Sequence, residues 1–286
     1  MKICFASLTE NAVTWQSPAL VLDLRPEQVH VWKANLDEFK DSCDCLSKDE
    51  ELRAARLKSP VKSARFRAAR AVLRVLLAAY THQSPQDIRF IYGARGKPCL
   101  QPEPGAPVLE FNLSHCGNLL LAAFSAQAPV GIDLELIQPM EQRASIIRQY
   151  FTANDWDAYR AMPAEQQNRA FLRAWTSREA VGKADGAGFA FGSEMDFFTM
   201  QVCDPSAAEY HRFVGLDDFW LLSFSPQSGS IAALAVKSAA QPQVSFFEIA
   251  SSDNLIGFSR SQGLKMQTIH PFSGYMKERT PAISWK

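Results

Sequence analysis

One pattern constrains the fold of this chain more than any other: a helix followed by a run of short strands appears twice along its 286 residues. The first copy opens with LSKDEELRAARLK, which reads as a short helix capped by Ser47, with Asp49, Glu50 and Glu51 at its positive N-terminal end. Pro60 interrupts it, and VKSARFRAARAVLRVLLAAY follows with Phe66, Leu73, Leu76, Leu77 and Tyr80 near helical spacing. Lys62, Arg65, Arg67, Arg70 and Arg74 make its polar face. Turn signals then separate IRFIY, FNLSH and LLLAAFS, which read as strands. The second copy follows the strand VGIDLELI: helices around EQRASIIRQYF, NDWDAYRAM and NRAFLRAWTSREAVGKADG, then strands FTMQVC, FWLLSFSP and IAALAV. Segregated helices and hairpin-like strands predict an α+β fold. Residues 1–125 and 126–240 are expected as a pseudo-two-fold pair of similar halves, each an antiparallel sheet packed with helices. Residues 241–286 are polar and weakly periodic, and are expected to form a C-terminal extension.

Charge narrows the choice of partners. Thirty basic and thirty acidic residues cancel, so nothing global favours nucleic acid or a membrane surface. No apolar run approaches the ~20 residues needed to span a bilayer. The start, MKICFASLTENAVTW, lacks the apolar run of a signal peptide, so a cytoplasmic location is expected. Cysteines 3, 43, 45, 99, 116 and 203 lack the spacing of a zinc site and are read as reduced thiols.

Five groups of residues can carry chemistry. Asp133 and Glu135 lie two apart in a strand, so both carboxylates project from one face while Ile132 and Leu134 point to the core. Paired acids repel unless a cation sits between them, and hard oxygen ligands suit Mg²⁺. A charged strand edge would have the same spacing. Trp175, Glu179 and Lys183 fall at i, i+4 and i+8 on one helix face, which supplies a third acid and a cation, or an ordinary surface ion pair. Ser114 and His115 in FNLSH stand at a strand end, where a histidine can meet a phosphate or serve the structure. The basic cluster Arg53, Arg56, Lys58, Lys62, Arg65 and Arg70 fits a phosphate footprint or a solvated helix face. Gly93-x-x-Gly96-Lys97-Pro98 is not a P-loop, although Lys97 can reach a ligand from a strand-end loop.

The order of these elements is more specific than any one of them. GKPC (96–99), FNLSHCG (111–117), VGIDLELI (130–137) and WTSREAVGKADGAGF (175–189) resemble the signature set of Sfp-type 4′-phosphopantetheinyl transferases, over roughly residues 45–235. The resemblance implies the fold of that family, with coenzyme A bound between two similar halves of a monomer. It implies transfer of the 4′-phosphopantetheine moiety of coenzyme A to a serine of an apo acyl or peptidyl carrier protein, leaving adenosine 3′,5′-bisphosphate. Carriers of fatty-acid, polyketide and nonribosomal-peptide synthesis are the candidates. By the same resemblance Asp133, Glu135 and Glu179 match the magnesium-binding acids, and Lys183 the lysine on the coenzyme A phosphates. Glu179 and Lys183 are the implied catalytic residues, with Glu179 as base. Ser114 and His115 match contacts to the pyrophosphate and 3′-phosphate, and Lys97 the segment beside the adenine. Arg53 and Arg65 match basic positions for the 3′-phosphate, and Arg178 stands where the family has lysine. A metal-dependent phosphohydrolase and a non-catalytic coenzyme A binder are the competing classes.

Overall fold

The computed structural model describes residues 13–17, 22–39, 45–93, 96–102, 105, 108–186, 196–197, 210–213 and 219–263. The expected strand FTMQVC lies outside the described residues. The fold is mixed α+β, with ten strands and six helices described. In chain order these are β1 (Gln28–Asn35), a 3-10 turn (Leu36–Glu38), α1 (Lys48–Ala55), α2 (Pro60–Thr81), β2 (Phe90–Tyr92) and β3 (Pro98–Leu100). Then come β4 (Glu110–Cys116), β5 (Leu119–Ser125), β6 (Val130–Leu136), α3 (Arg143–Tyr150), α4 (Ala153–Ala161) and α5 (Ala164–Asp185). The described chain closes with β7 (Tyr210–Phe213), β8 (Phe219–Phe224), β9 (Ser230–Lys237), β10 (Gln243–Ile249) and α6 (Ser252–Ser261).

The strands form two four-stranded sheets, ordered β10-β1-β5-β4 and β6-β9-β8-β7, and a small β2-β3 hairpin. β4 and β5 pair antiparallel, as do β6 with β9, β9 with β8 and β8 with β7. β10 arises from a stretch with little periodicity and takes an edge position in the first sheet. Contacts divide the chain into two compact units: Met1–Ser17, Asp23–Lys33 and Arg89–Glu248 in one, Pro18–Leu22, Ala34–Ile88 and Ile249–Lys286 in the other. Among the described residues no helix is long and apolar enough to cross a membrane.

In the first unit the period-two alternation of strands sorts side chains between two cores. Ile231, Ala233 and Ala235 of β9 pack with Phe171, Val181 and other apolar residues of the helices. Ala232, Leu234 and Val236 instead join Val130, Ile132 and Leu134 of β6 and Leu119, Leu121 and Ala123 of β5. The β6–β9 register pairs Asp133 with Ala233 and Glu135 with Ile231. Both acids therefore share the helix-facing side of the second sheet, opposite Ile132 and Leu134.

In the second unit Ser47 and Glu50 form a capping box that starts α1. Ser59 caps α2, with Pro60 in its first turn. Arg70 and Arg74 depart from the expected polar face: both are buried, and both donate to the buried Glu50 carboxylate. Their partner lies 20 and 24 residues away, so helical periodicity alone could not reveal it. Cys99 and Cys116 are free thiols. Cys45 is disulfide-bonded, which corrects the expectation of six reduced cysteines. Spacing arguments test for metal knuckles and are silent on pairs that folding brings together.

Candidate active site

β6 and α5 build the centre of the site. Asp133 and Glu135 leave β6 on the face that α5 covers, and Glu179 and Lys183 sit one turn apart on α5. Lys183 Nζ donates to Asp133 Oδ1 at 2.6 Å and to the Ile132 carbonyl at 3.1 Å. The structure thus brings the predicted lysine onto the predicted acid. β4 contributes the third side: Ser114 Oγ donates to Asp133 Oδ1 at 3.1 Å and lies 3.4 Å from Lys183 Nζ. Asn112 on the same face of β4 accepts the Ile132 backbone N–H at 2.9 Å, which fixes β4 along β6. Two residues beyond Ser114, the Cys116 thiol donates to Glu135 Oε2 at 3.6 Å.

The electrostatics report crowded negative charge. Glu135 is held above the usual carboxylate range by burial and then by Asp133. Glu179 is raised by burial and then by Asp133, with Glu135 adding to the shift, against the opposing pull of Lys183 and Arg178. Asp133 is 6% exposed, and its Oδ2 is buried with no hydrogen-bond partner among the described residues. A buried acceptor left unpaired costs on the order of 1–3 kcal/mol, more if charged. That oxygen can take a partner that the described residues do not supply. Two carboxyls held above their usual range beside a third carboxylate with an orphaned oxygen fit a divalent cation such as Mg²⁺ in charge and donor type. As placed, no group of three or more His, Cys, Asp or Glu among the described residues is gathered into a ready-made metal cage. Lys183 instead neutralises Oδ1.

Trp175 anchors the helix by packing against Phe171, Tyr150 and Phe151, with ring centroids 6.1–6.4 Å apart. Arg178 is buried, and its guanidinium lies over the Tyr150 and Phe151 rings at 5.7 and 5.8 Å. Its burial lowers its pKa. The arginine thus packs among aromatic residues at the end of α3. His115 is solvent-exposed at the end of β4; partial burial of its ring and then the Lys183 charge hold its pKa below the usual value. Lys97 is half-buried and points its ammonium at backbone, to the Lys183 carbonyl at 2.7 Å and the Val130 carbonyl at 3.4 Å.

Arg53 and Arg65 belong to the second unit. Arg53 is exposed, 6.0 Å from the Phe66 ring. Arg65 makes a bidentate pair with Asp37 at 2.7 Å for both bonds, which raises its pKa further. Sequence reasoning did not single out Cys116 as a neighbour of Glu135 or Gly131 as a contact point for α5. The period-two alternation of FNLSHC carries a signal for Cys116, since it shares a face with Ser114.

The chain is similar to known proteins along most of its length. Residues 129–238 match the 4′-phosphopantetheinyl transferase superfamily, and residues 30–127 match the family described as 4′-phosphopantetheinyl transferase, N-terminal. The chain is 34% identical over 227 residues to 4′-phosphopantetheinyl transferase HetI of Nostoc sp., covering 78% of this chain and 93% of the relative. It is 35% identical over 134 residues to AcpT of Salmonella typhimurium, covering 47% and 64%. Similarity to Sfp of Bacillus subtilis is 28% over 131 residues, or 46% of this chain and 55% of that one.

Proposed function

Because the chain belongs to the 4′-phosphopantetheinyl transferase superfamily, we propose that Asp133, Glu135 and Glu179 hold Mg²⁺ beside coenzyme A, with Lys183 on the phosphates. The protein transfers the 4′-phosphopantetheine arm of coenzyme A to a carrier protein. The observation that carries the metal reading is the buried, unpartnered Oδ2 of Asp133 among three mutually repelling carboxylates. Bound there, the ion supplies positive charge that neutralises and polarises a pyrophosphate.

The polypeptide's own groups account for the rest. The carrier serine oxygen forms a bond to the β-phosphorus, and the bond to adenosine 3′,5′-bisphosphate breaks. A carboxylate oxygen of Glu179 takes the serine proton; its raised pKa brings it nearer the pH at which a base is most effective. Lys183 Nζ stabilises charge on the departing bisphosphate. Ser114 and His115 meet the pyrophosphate and 3′-phosphate, Arg53 and Arg65 the 3′-phosphate, and the 96–98 turn lies beside the adenine.

The same reading extends to the whole chain. Residues 1–125 and 126–240 are pseudo-two-fold halves, supported by two family matches that meet between residues 127 and 129. Residues 241–286 are an extension whose first part, Gln243–Ile249, joins the first sheet. The enzyme is of the holo-acyl-carrier-protein synthase type, a cytoplasmic monomer serving fatty-acid, polyketide or nonribosomal-peptide carriers. The balance of 30 basic and 30 acidic residues supports a role without nucleic acid or membrane.

Given coenzyme A and Mg²⁺, the protein is expected to release adenosine 3′,5′-bisphosphate only when an apo carrier protein is present, and not after chelation of divalent ions. Equal release without an acceptor would replace transfer by hydrolysis.

A further inference from the structure

We infer that Lys97 and Gly131 are positioning residues that clamp the C-terminal half of α5 onto β6, and that Lys97 acts on the reaction through Lys183. The inference rests on the transferase reading and assigns the Lys97 side chain, as distinct from its backbone turn, a different task from contact with coenzyme A.

The geometry of the clamp is specific. Lys183 supplies one of the last four carbonyls of α5, which have no partner inside the helix. Lys97 Nζ donates to that carbonyl at 2.7 Å and to the Val130 carbonyl, at the start of β6, at 3.4 Å. A cation at a helix C-terminus is also favoured by the helix dipole. One ammonium therefore ties the backbone of Lys183 to the backbone of the strand bearing Asp133. Burial lowers the pKa of Lys97, as expected for an ammonium enclosed by protein.

Gly131 provides the second contact. A Cβ at this position would lie 2.0 Å from the Ala180 carbonyl oxygen, 2.4 Å from the Ala184 nitrogen and 3.0 Å from the Lys183 carbonyl carbon. These are backbone atoms, so no side-chain rotation can relieve the clash. Only glycine lets the helix axis approach so closely. The approach in turn sets the 2.6 Å contact between Lys183 and Asp133, two residues further along β6. Both residues thus fix where the ammonium and Glu179 stand relative to the strand acids.

The test is a double-mutant cycle on full-length protein, read as kcat/KM for coenzyme A in carrier loading, with thermal unfolding as a check on folding. Lys97→Met is expected to lower kcat/KM by roughly tenfold, within the range for residues in one network. In a Lys183→Met background it should change kcat/KM by less than about twofold, because the group it positions is gone. Lys97→Arg, which keeps donors near both carbonyls, should restore most of the loss. Gly131→Ala removes no functional side chain but forces α5 away from β6, and should lower kcat/KM by a comparable factor. Losses that multiply in the double variant would show that Lys97 acts on coenzyme A independently and would overturn the inference. A folded Lys97→Met or Gly131→Ala protein with wild-type kcat/KM would do the same. Failure of the wild-type protein to load any carrier would instead remove the transferase reading.

Discussion

Asp133→Ala is expected to lower carrier loading by on the order of a thousandfold or more, at the upper end of what loss of one preorganised electrostatic group causes. Three functions meet in this carboxylate. Its Oδ1 holds the Lys183 ammonium at 2.6 Å and accepts from Ser114 at 3.1 Å. Its Oδ2 is the buried, unpartnered oxygen proposed to meet the cation. After burial, its charge also does most to lift both Glu135 and Glu179 above the usual carboxylate range. Removing it releases Lys183, takes away one donor of the proposed metal site and removes a charge that raises the proton affinity of Glu179, the proposed base. The fold should survive, because Lys183 stays partly exposed and can be hydrated. Loading rates and thermal unfolding on the same preparation check both halves. Near wild-type loading by a folded Asp133→Ala protein would remove Asp133 from the site.

Glu50→Ala should be the most costly substitution for stability among the described ion pairs, about 3–5 kcal/mol for a buried pair deprived of one partner. Glu50 is 6% exposed and Arg74 2%. Arg70 Nε donates to one carboxylate oxygen at 2.5 Å and Arg74 Nε to the other at 2.7 Å. Arg74 also donates to the carbonyls of Pro85 and Ile88 at 2.8 and 3.0 Å, tying the turn after α2 into the same network. Alanine would leave two buried guanidinium groups without their counter-charge and break the capping box of α1. Urea unfolding of the two proteins at neutral pH measures the difference.

The pH dependence has a fixed sign. Burial alone would raise the Glu50 pKa, but Arg70, the Ser47 N–H and Arg74 together hold it below the ordinary value. A depressed carboxyl pKa adds stability that is complete above the unfolded value, about 4.3, and is lost as pH falls through the folded value. Wild-type stability should therefore fall below about pH 4.3 more steeply than that of Glu50→Ala. An identical acid slope would mean that Glu50 is not charged and paired in the folded protein.

The legible part of the site depended on local periods. Asp133 and Glu135 face one way because strand side chains alternate, and Glu179 and Lys183 share a face because four residues make about one helical turn. Ser47 as a cap, followed by Asp49, Glu50 and Glu51 in the first turn, announced α1, a purely local signal. What escaped depends on contacts distant in sequence. Lys97 meets a carbonyl 86 residues away, so its task as a backbone clamp has no local signature. Gly131 reads as one more small residue in an apolar strand until α5 is packed against it. Arg70 and Arg74 looked solvated because helical spacing shows a polar stripe without showing that Glu50 is buried beneath it. β10 escaped for a related reason: an edge strand half-covered by neighbours need not alternate cleanly.

The central claim is transfer of a covalent arm to a protein serine, and intact-mass spectrometry of the acceptor tests it most directly. Incubated with coenzyme A, Mg²⁺ and this protein, an apo carrier protein should gain roughly 340 Da, the mass of one phosphopantetheine arm delivered to a hydroxyl nucleophile. A variant of the carrier lacking the acceptor serine should gain nothing. An apo carrier that stays at its original mass while coenzyme A is consumed, or gains the same mass without this protein, would contradict the account.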